Sequence, residues 1–252
     1  MGWLHILVTA ASGIAAMRAA IDRGDVDEAA RQGALAGPAI IEQALAAPDR
    51  SAKLAGIAAA PLAEDRAELL EPLARVAGGP DRRVAVPAAA AARAIARELA
   101  RRDRPDDIAG EDVGAWRDAW LALARRRDRW IEVRVLALDV AVALDPTALD
   151  LTWALAEPDP ALRRAAIAEL PLPVPDALRP ALGAAVVKDT DPDVALVAAA
   201  MLCGDATTGA PPKPILDALG PSGLTRLKTL VTQKAPAYVL RDAKRCLGPG
   251  AR

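Results

Sequence analysis

Residues Glu157–Leu170 read EPDPALRRAAIAEL, and residues Asp189–Leu202 read DTDPDVALVAAAML. Both stretches have an acidic residue, then Asp-Pro, then an aliphatic residue two positions after the proline, and then paired alanines. Aspartate is a favoured N-cap, and proline is favoured at the first helical position, where no N–H is needed. The aliphatic residue and the alanines recur at helical spacing and form one apolar stripe. Each stretch therefore predicts a helix that is buried along one face.

Weaker copies of this pattern precede the two stretches. They are PDRSAKLAGIAAA from Pro48, PDRRVAVPAAAA from Pro80 and DRWIEVRVLALD from Asp128. The five copies are spaced by roughly 32, 49, 29 and 32 residues, in the range of helical-pair repeats. This alignment superimposes Ala52, Val84, Val133, Leu162 and Val194. The long step contains the polar insertion RRDRPDDIAG. A helix with so narrow an apolar stripe needs the same helix of the next repeat beside it.

Another helical stretch is predicted before each of these helices. The predicted first helices are Asp25–Ala46, Glu64–Ala77, Glu111–Arg125, Pro146–Ala156, Pro175–Val187 and Pro214–Thr232. Asp25 and Glu28 predict a capping box, and Gly220-Pro221 should split the last stretch into two short helices. Pro87 lies inside a second helix and should bend it or mark a late start. The chain should thus form about six helix pairs, the last ending near Leu247.

The composition fits helices built with small side chains. The 252 residues are 53% hydrophobic, with five Trp, one Tyr and no Phe. About a quarter of the chain is alanine. So much apolar material excludes disorder, and the scarcity of aromatic residues argues against a sheet protein. The 32 basic and 33 acidic residues leave a net charge of -1, so the chain as a whole lacks the basic charge typical of nucleic-acid binding.

The repeated pattern resembles the HEAT repeat. EPDPALRRAAIAEL is similar to the second helix of the short bacterial HEAT variety, whereas the second stretch has Ala195 where the motif usually carries arginine. Asp128 with Val133-Arg134 resembles the spacing of longer HEAT repeats. The resemblance implies an all-α fold, a right-handed α-solenoid of about six HEAT-like helix pairs. HEAT proteins usually bind other proteins on an extended surface, so we expect a non-catalytic, monomeric scaffold or adaptor without a cofactor, and an unidentified protein as its partner.

Four residues are candidates for partner binding. Trp116 and Trp120 share a helix face, and Trp130 and Arg134 repeat the four-residue spacing, with an arginine-rich segment between the two pairs. A basic, aromatic surface of this kind would grip an acidic peptide or stack a base. The alternative function is therefore a HEAT-like nucleic-acid-binding protein or DNA glycosylase-like enzyme. The favoured interpretation is that Trp fills a core left open by alanine, and that the arginines stabilise a helix C-terminus.

No catalytic, cofactor or metal residue is predicted. His5 is the single histidine, so Cys and His cannot supply the roughly four ligands of a structural zinc site. Five aspartates lie at equivalent repeat positions and are explained as N-caps: Asp49, Asp81, Asp128, Asp159 and Asp191. The acidic segment Asp106, Asp107, Glu111 and Asp112 lacks the spacing of a calcium loop and is expected to be a solvated loop.

The two cysteines, Cys203 and Cys246, are candidates for a disulfide. Aligning Pro192 with Pro236 places Cys246 opposite Leu202, one residue from Cys203. Stacked neighbouring repeats would bring the two side chains together, and a bond there would attach the last repeat to the array. The alternative is two buried free thiols.

The N-terminal segment 1–24 is predicted to be distinct from a single repeat domain over residues 25–252. Within it, Trp3–Met17 reads WLHILVTAASGIAAM and carries no charge before Arg18. It is shorter than the about 20 residues of a membrane span, so no integral membrane domain is expected. It resembles a secretory signal without the basic first part, which favours export slightly over a cytoplasmic location. The alternative is a first amphipathic helix.

Overall fold

The computed structural model describes residues 13–101, 110–146, 150–204 and 213–248. These residues form fourteen α-helices joined by turns and short 3-10 segments, without a strand in any of the four ranges. The all-α prediction is therefore confirmed. The chain divides into two compact units, Met1–Ala148 and Leu149–Arg252, and each is described by itself. The single repeat domain over 25–252 stays a prediction.

The first unit stacks paired helices. α1 (13–22) leads into α2 (Val26–Ala36), α3 (Pro38–Ala46), α4 (Arg50–Ala59), α5 (Leu70–Ala77), α6 (Arg82–Arg101), α7 (Gly110–Arg125) and α8 (Ile131–Leu144). Short 3-10 segments at Ala60–Leu62 and Arg66–Leu69 join α4 to α5. α2 and α3 both pack on α4, α5 packs on α6, and α7 packs on α8. Because α6 also lies against α4 and α8, the second helices form a continuous row.

The second unit repeats this arrangement. Its helices are α9 (Thr152–Leu155), α10 (Pro160–Ala168), α11 (Arg179–Lys188), α12 (Pro192–Gly204), α13 (Lys213–Leu230) and α14 (Ala237–Lys244). Two 3-10 segments, Asp176–Leu178 and Arg245–Leu247, precede α11 and follow α14. α12 lies between α10 and α14, and α11 packs on both α12 and α13. Second helices therefore stack on second helices here as well.

The predicted repeat register places the right residues in the core. The five aligned residues lie in α4, α6, α8, α10 and α12, and each is at least 95% buried: Ala52, Val84, Val133, Leu162 and Val194. The alanines that follow them are largely buried too, as in α6, where Ala88, Ala89 and Ala92 have no exposed surface. Small side chains at these positions let neighbouring helices approach closely.

Aspartate starts most of the helices for which a cap was predicted. The side chains of Asp49, Asp81, Asp159 and Asp191 each accept a hydrogen bond of 2.8–3.0 Å from a backbone N–H in the first turn. Asp25 likewise accepts from the Glu28 N–H at 3.0 Å. The capping box is only half formed, because the Glu28 carboxylate accepts from Arg31 and Gln32 instead.

The predicted cap at Asp128 is wrong. α8 begins at Ile131, and the N-cap position is occupied by Trp130, which makes no side-chain capping bond. The Asp128 carboxylate instead accepts two hydrogen bonds from Arg126, which hold its pKa below the ordinary value. The Asp128 carboxylate therefore pairs with Arg126, and with Arg129 at 3.2 Å, and not with the N–H groups at the start of α8.

Several predicted first helices are shorter than expected. The stretch Asp25–Ala46 is divided at Gly37, whose φ of 87° interrupts the helix before Pro38. Of Pro146–Ala156, only Thr152–Leu155 is helical in the described residues. The Gly220-Pro221 break is confirmed, since Gly220 has φ 59° and ψ 179° inside α13. Pro87 does not delay α6, which already begins at Arg82.

Part of the apolar N-terminal segment is a packed helix. Residues 1–12 lie outside the described residues, whereas 13–22 form α1, in which Met17 and Ala20 are buried. Met17 lies against Gly33 of α2, where an added Cβ would come 2.8 Å from Met17 Cε. None of the helices in the described ranges is both long and apolar enough to span a bilayer. A secretory signal stays a prediction.

Arginine ties neighbouring repeats together in the second unit. Arg163 makes two 2.8 Å hydrogen bonds to Asp189 and donates to the Glu157 and Pro158 carbonyls at 2.7 Å. Burial alone would raise the pKa of Asp189, but the hydrogen bonds from Arg163 and from the Asp191 N–H outweigh it and hold this pKa below its ordinary value. The Asp189 carboxylate is therefore a buried anion matched by a buried cation.

The missing arginine at position 195 is replaced from another helix. Ala195 is fully buried in α12. Arg226 of α13 donates to the Val187 carbonyl at 2.7 Å and to the Asp189 carbonyl, next to the C-terminus of α11. Carbonyls at a helix end lack intrahelical partners. A guanidinium therefore satisfies them here, although it comes from a position that the repeat motif does not mark.

Candidate interaction surface

Trp120 is a core residue, as the favoured interpretation of the tryptophans predicted, and so is not part of the candidate binding surface. Its side chain has no exposed surface, and Nε1 donates to the Leu70 carbonyl at 3.2 Å. This bond joins α7 to the start of α5, the preceding first helix. A buried indole needs such a partner for its N–H. Trp120 therefore fixes the stacking of two repeats and presents nothing to solvent.

Arg134 is also structural rather than a surface residue. It is 5% exposed, and its Nε donates to the Ala124 carbonyl at 2.9 Å, near the C-terminus of α7. This is the same kind of contact that Arg163 makes in the second unit. The buried guanidinium satisfies a helix-end carbonyl and joins the two helices of one pair. Two of the four predicted binding residues, Trp120 and Arg134, are therefore buried.

Trp130 keeps its position at the surface. Its side chain is 44% exposed at the start of α8. The Arg82 guanidinium lies 5.7 Å from the centre of the Trp130 ring, a cation–π distance, and also donates to the Glu132 carboxylate. The Glu132 backbone N–H and Arg82 hold the pKa of this carboxyl below its ordinary value. Trp116, in contrast, is half-buried on α7, so the four residues do not form one surface.

A second cluster lies further along the same two helices. Asp139 of α8 is 9% exposed and accepts from Arg93 Nε at 2.6 Å and from Arg97 at 2.7 and 2.9 Å. Both arginines belong to α6, and more than a third of each side chain is exposed. One carboxylate of α8 thus pairs with two guanidinium groups of α6.

Together these contacts define a basic surface on α6, which we call the arginine stripe. Its members are Arg82, Arg83, Arg93, Arg97 and Arg101. The successive offsets of 11, 4 and 4 residues between Arg82, Arg93, Arg97 and Arg101 keep them on one side of the helix. Val86 and Ala90 lie between them on this side and are at least partly exposed. The stripe is therefore basic at both ends and small and apolar in the middle.

The arginine segment between α7 and α8 lies in a turn and at a helix end, and Arg125, Arg126 and Arg127 are exposed there. Arg126 and Arg129 both pair with Asp128, at 2.9 and 3.2 Å. Arg125 ends α7, where a cation favours the helix dipole, as the favoured interpretation predicted. These arginines are turn and helix-end residues.

The sequence reasoning missed Arg82, Arg93, Arg97 and Asp139. A usable signal was present, because Arg93, Arg97 and Arg101 follow one another at four-residue spacing. Their partners were not visible in the sequence, since Asp139 is 42 and 46 positions away from the two arginines that contact it. Only the packing of α6 on α8 brings them together.

Two other predicted features concern acidic residues and cysteines. Asp106 and Asp107 lie outside the described residues. Within the described ranges, no group of three or more His, Cys, Asp or Glu side chains is placed to hold a metal ion. Cys203 and Cys246 are both buried and joined by a disulfide, with their Cα atoms 5.3 Å apart. This bond links α12 to the 3-10 segment after α14.

Comparisons with known proteins concern the fold. No protein-family model and no curated protein matches the chain. Among solved structures, Kap121p is 21% identical over 82% of this chain, with a TM-score of 0.53, and the chain spans 21% of the length of Kap121p. An engineered protein is 20% identical and covers 96% of this chain, which spans 86% of that protein, but the TM-score of 0.35 supports no argument. Because Kap121p is a HEAT-repeat protein and the described residues form stacked helix pairs, this chain has a HEAT-like helical-repeat fold.

Proposed function

We propose that the protein is a non-catalytic scaffold that binds a protein partner along the row of second helices. The observation that carries the proposal is the continuous stacking of α4, α6 and α8, with exposed residues such as Arg82, Arg83 and Ala90 on the central helix, α6. Repeat proteins use such surfaces for binding because each added repeat lengthens the surface without changing the core. The similarity to the helical-repeat structure of Kap121p supports this class of function.

The surroundings of two buried carboxylates favour a scaffold over an enzyme. Asp139 and Asp189 are the kind of group that an active site would use, since both are largely shielded from water. Each is matched by arginines of another element, so its burial is explained by the joining of repeats. The alternative nucleic-acid-binding or glycosylase-like function was based partly on Trp120 and Arg134, which are both buried. No other observation favours it.

The test is photo-crosslinking in extracts of the native source. A photoreactive amino acid is placed at Ala90, an exposed position on α6, and in a matched protein at Leu35, which is 85% exposed on α2. Crosslinked proteins are identified by mass spectrometry. We expect one partner to be captured from position 90 and not from position 35. Capture of the same proteins from both positions, or of none, would contradict binding along the second helices.

A further inference from the structure

We propose that the arginine stripe of α6 binds an acidic peptide segment of the partner in an extended conformation. This inference rests on the proposed scaffold function and adds the chemistry of the partner. Its basis is the local charge: α6 carries five exposed or half-exposed guanidinium groups, and three of them pair with two carboxylates of α8, Glu132 and Asp139. The whole chain carries a net charge of -1, so this excess of positive charge is local.

Two of the five arginines in the stripe have no carboxylate partner among the described residues. Arg82 shares Glu132, and Arg93 and Arg97 share Asp139. Arg83 and Arg101 are exposed, and the described part of the chain offers neither of them an ion pair. The acid of the same helix, Glu98, is matched by Arg66 at 2.8 Å. A partner that brings carboxylates would therefore complete the charge balance of this surface.

The dimensions suit a short extended peptide. Arg82 and Arg101 are separated by 19 positions, which corresponds to about 28 Å along a helix at 1.5 Å per residue. An extended chain of about eight or nine residues spans the same distance. Val86 and Ala90, between the two basic ends, are short enough for a peptide backbone to approach the helix. The exposed ring of Trp130 lies beside Arg82 and adds apolar contact at one end.

The charge pattern favours a peptide over a nucleic acid. Glu132 and Asp139 of α8 lie beside the stripe. A nucleic-acid backbone, which carries one negative charge every few ångströms, would pass close to both carboxylates and be repelled by them. A peptide places its carboxylates individually and can avoid these two positions. Its carboxylates can accept from the guanidinium groups in the bidentate geometry that arginine favours.

The test is fluorescence polarisation with the full-length protein at low salt. The probes are a fluorescein-labelled peptide of nine glutamates, the same peptide with nine glutamines, and a single-stranded oligonucleotide of nine nucleotides. The stripe variant combines Arg83→Glu with Arg101→Glu, the two stripe arginines that pair with no carboxylate in the described part of the chain. The matched control combines Lys228→Glu with Lys234→Glu, which makes the same charge change at exposed positions of the second unit.

We expect the glutamate peptide to bind the wild-type protein and the control with the same affinity, and the stripe variant about tenfold or more weakly, because like charges then meet. Added salt should weaken the wild-type complex. Equal binding of the glutamine peptide, or equal weakening in both variants, would overturn the inference. Tighter binding of the oligonucleotide through the stripe would overturn it in favour of a nucleic acid. If the partner crosslinked from position 90 is retained by the stripe variant, the scaffold function stands and the acidic-segment inference alone fails.

Discussion

Trp120 and Trp130 show how one residue type takes two roles in a core made of small side chains. Trp120 fills space between α5 and α7, and its indole N–H donates a hydrogen bond to the Leu70 carbonyl, whereas Trp130 lies at the surface beside Arg82. Trp120→Phe should lower the free energy of unfolding by about 1–3 kcal/mol, because the hydrogen bond and part of the ring volume are lost. Urea unfolding followed by circular dichroism measures this. The control Trp130→Phe should change stability by less than about 0.5 kcal/mol, and equal losses in the two variants would contradict the assignment.

Asp189 makes stability depend on pH. Its pKa is lowered in the folded protein, so its contribution is present above the unfolded value of about 3.9 and is lost as the pH falls through the folded pKa. Asp189→Asn should cost about 1–3 kcal/mol at pH 7, because Arg163 loses a buried charged partner. The difference from the wild type should shrink below about pH 4.

Thermal melting of wild type and Asp189→Asn between pH 3 and pH 7 measures this. The matched control is Asp193→Asn, since Asp193 is 57% exposed and pairs with Arg164 at 3.3 Å. An exposed ion pair contributes little to stability, so the melting temperature of this control should follow that of the wild type at every pH. A gap between Asp189→Asn and the wild type that persists unchanged at pH 3 would rule out this role of the carboxylate.

The sequence was enough to predict the role of a residue when its partners lie within a few positions along the chain. Asp49, Asp159 and Asp191 cap the helices that follow them because the N–H groups they satisfy are two or three residues away. The four-residue spacing also placed Trp116 and Trp120 on one helix. It did not show which side of α7 meets α5, because that depends on how two repeats stack. The sequence therefore could not separate a core tryptophan from a surface one.

At the scale of elements, the helices of the second unit depend on a close approach at Gly183. This glycine of α11 faces α13, and an added Cβ would come 2.0 Å from the Ala218 carbonyl oxygen. Gly183→Ala should therefore separate the two helices and lower the free energy of unfolding by about 1–3 kcal/mol. Urea unfolding of the purified variant gives the value.

Gly114 provides the matched control on α7. No heavy atom lies within 4 Å of the Cβ that alanine would add there, so only backbone entropy changes. Gly114→Ala should stabilise the protein by about 0.5–1 kcal/mol. The same substitution is thus expected to lower the free energy of unfolding in α11 and to raise it in α7. A stabilising effect at Gly183 would show that α11 and α13 are not in close contact.

The element boundaries show why the sequence predicted second helices better than first helices. Four of the second helices, α4, α6, α10 and α12, start at a capping Asp and carry a regular apolar stripe, so α10 and α12 begin where expected. First helices lack a repeated start signal. The stretch predicted as Pro146–Ala156 yields only Thr152–Leu155 in the described residues, where the N-cap residue, Leu151, makes no side-chain capping bond. The arginine stripe was missed for a related reason: its carboxylates belong to the next second helix.

At the scale of the whole molecule, the two units differ in how they are stabilised. Ion pairs join second helices in both units, as between Arg82 and Glu132 in the first and between Arg164 and Asp193 in the second. The second unit has a covalent bond as well. Terminal repeats have a neighbour on one side only, so they are prone to unfold locally. The disulfide attaches the final segment, Arg245–Leu247, to α12, which already has its other neighbour in α10.

Removing this bond should therefore affect one unit and leave the other unchanged. The disulfide closes 43 residues, and a loop of this size corresponds to about 2–4 kcal/mol of stabilisation. On reduction, or with Cys203→Ala and Cys246→Ala together, hydrogen exchange measured by mass spectrometry should accelerate in α14 first. Exchange in α6 and α8 should stay the same, because both cysteines lie in the second unit. The reductant should have no further effect on the double variant. Accelerated exchange throughout α6 and α8, or none in α14, would show that the bond does not act as a local attachment of the last repeat.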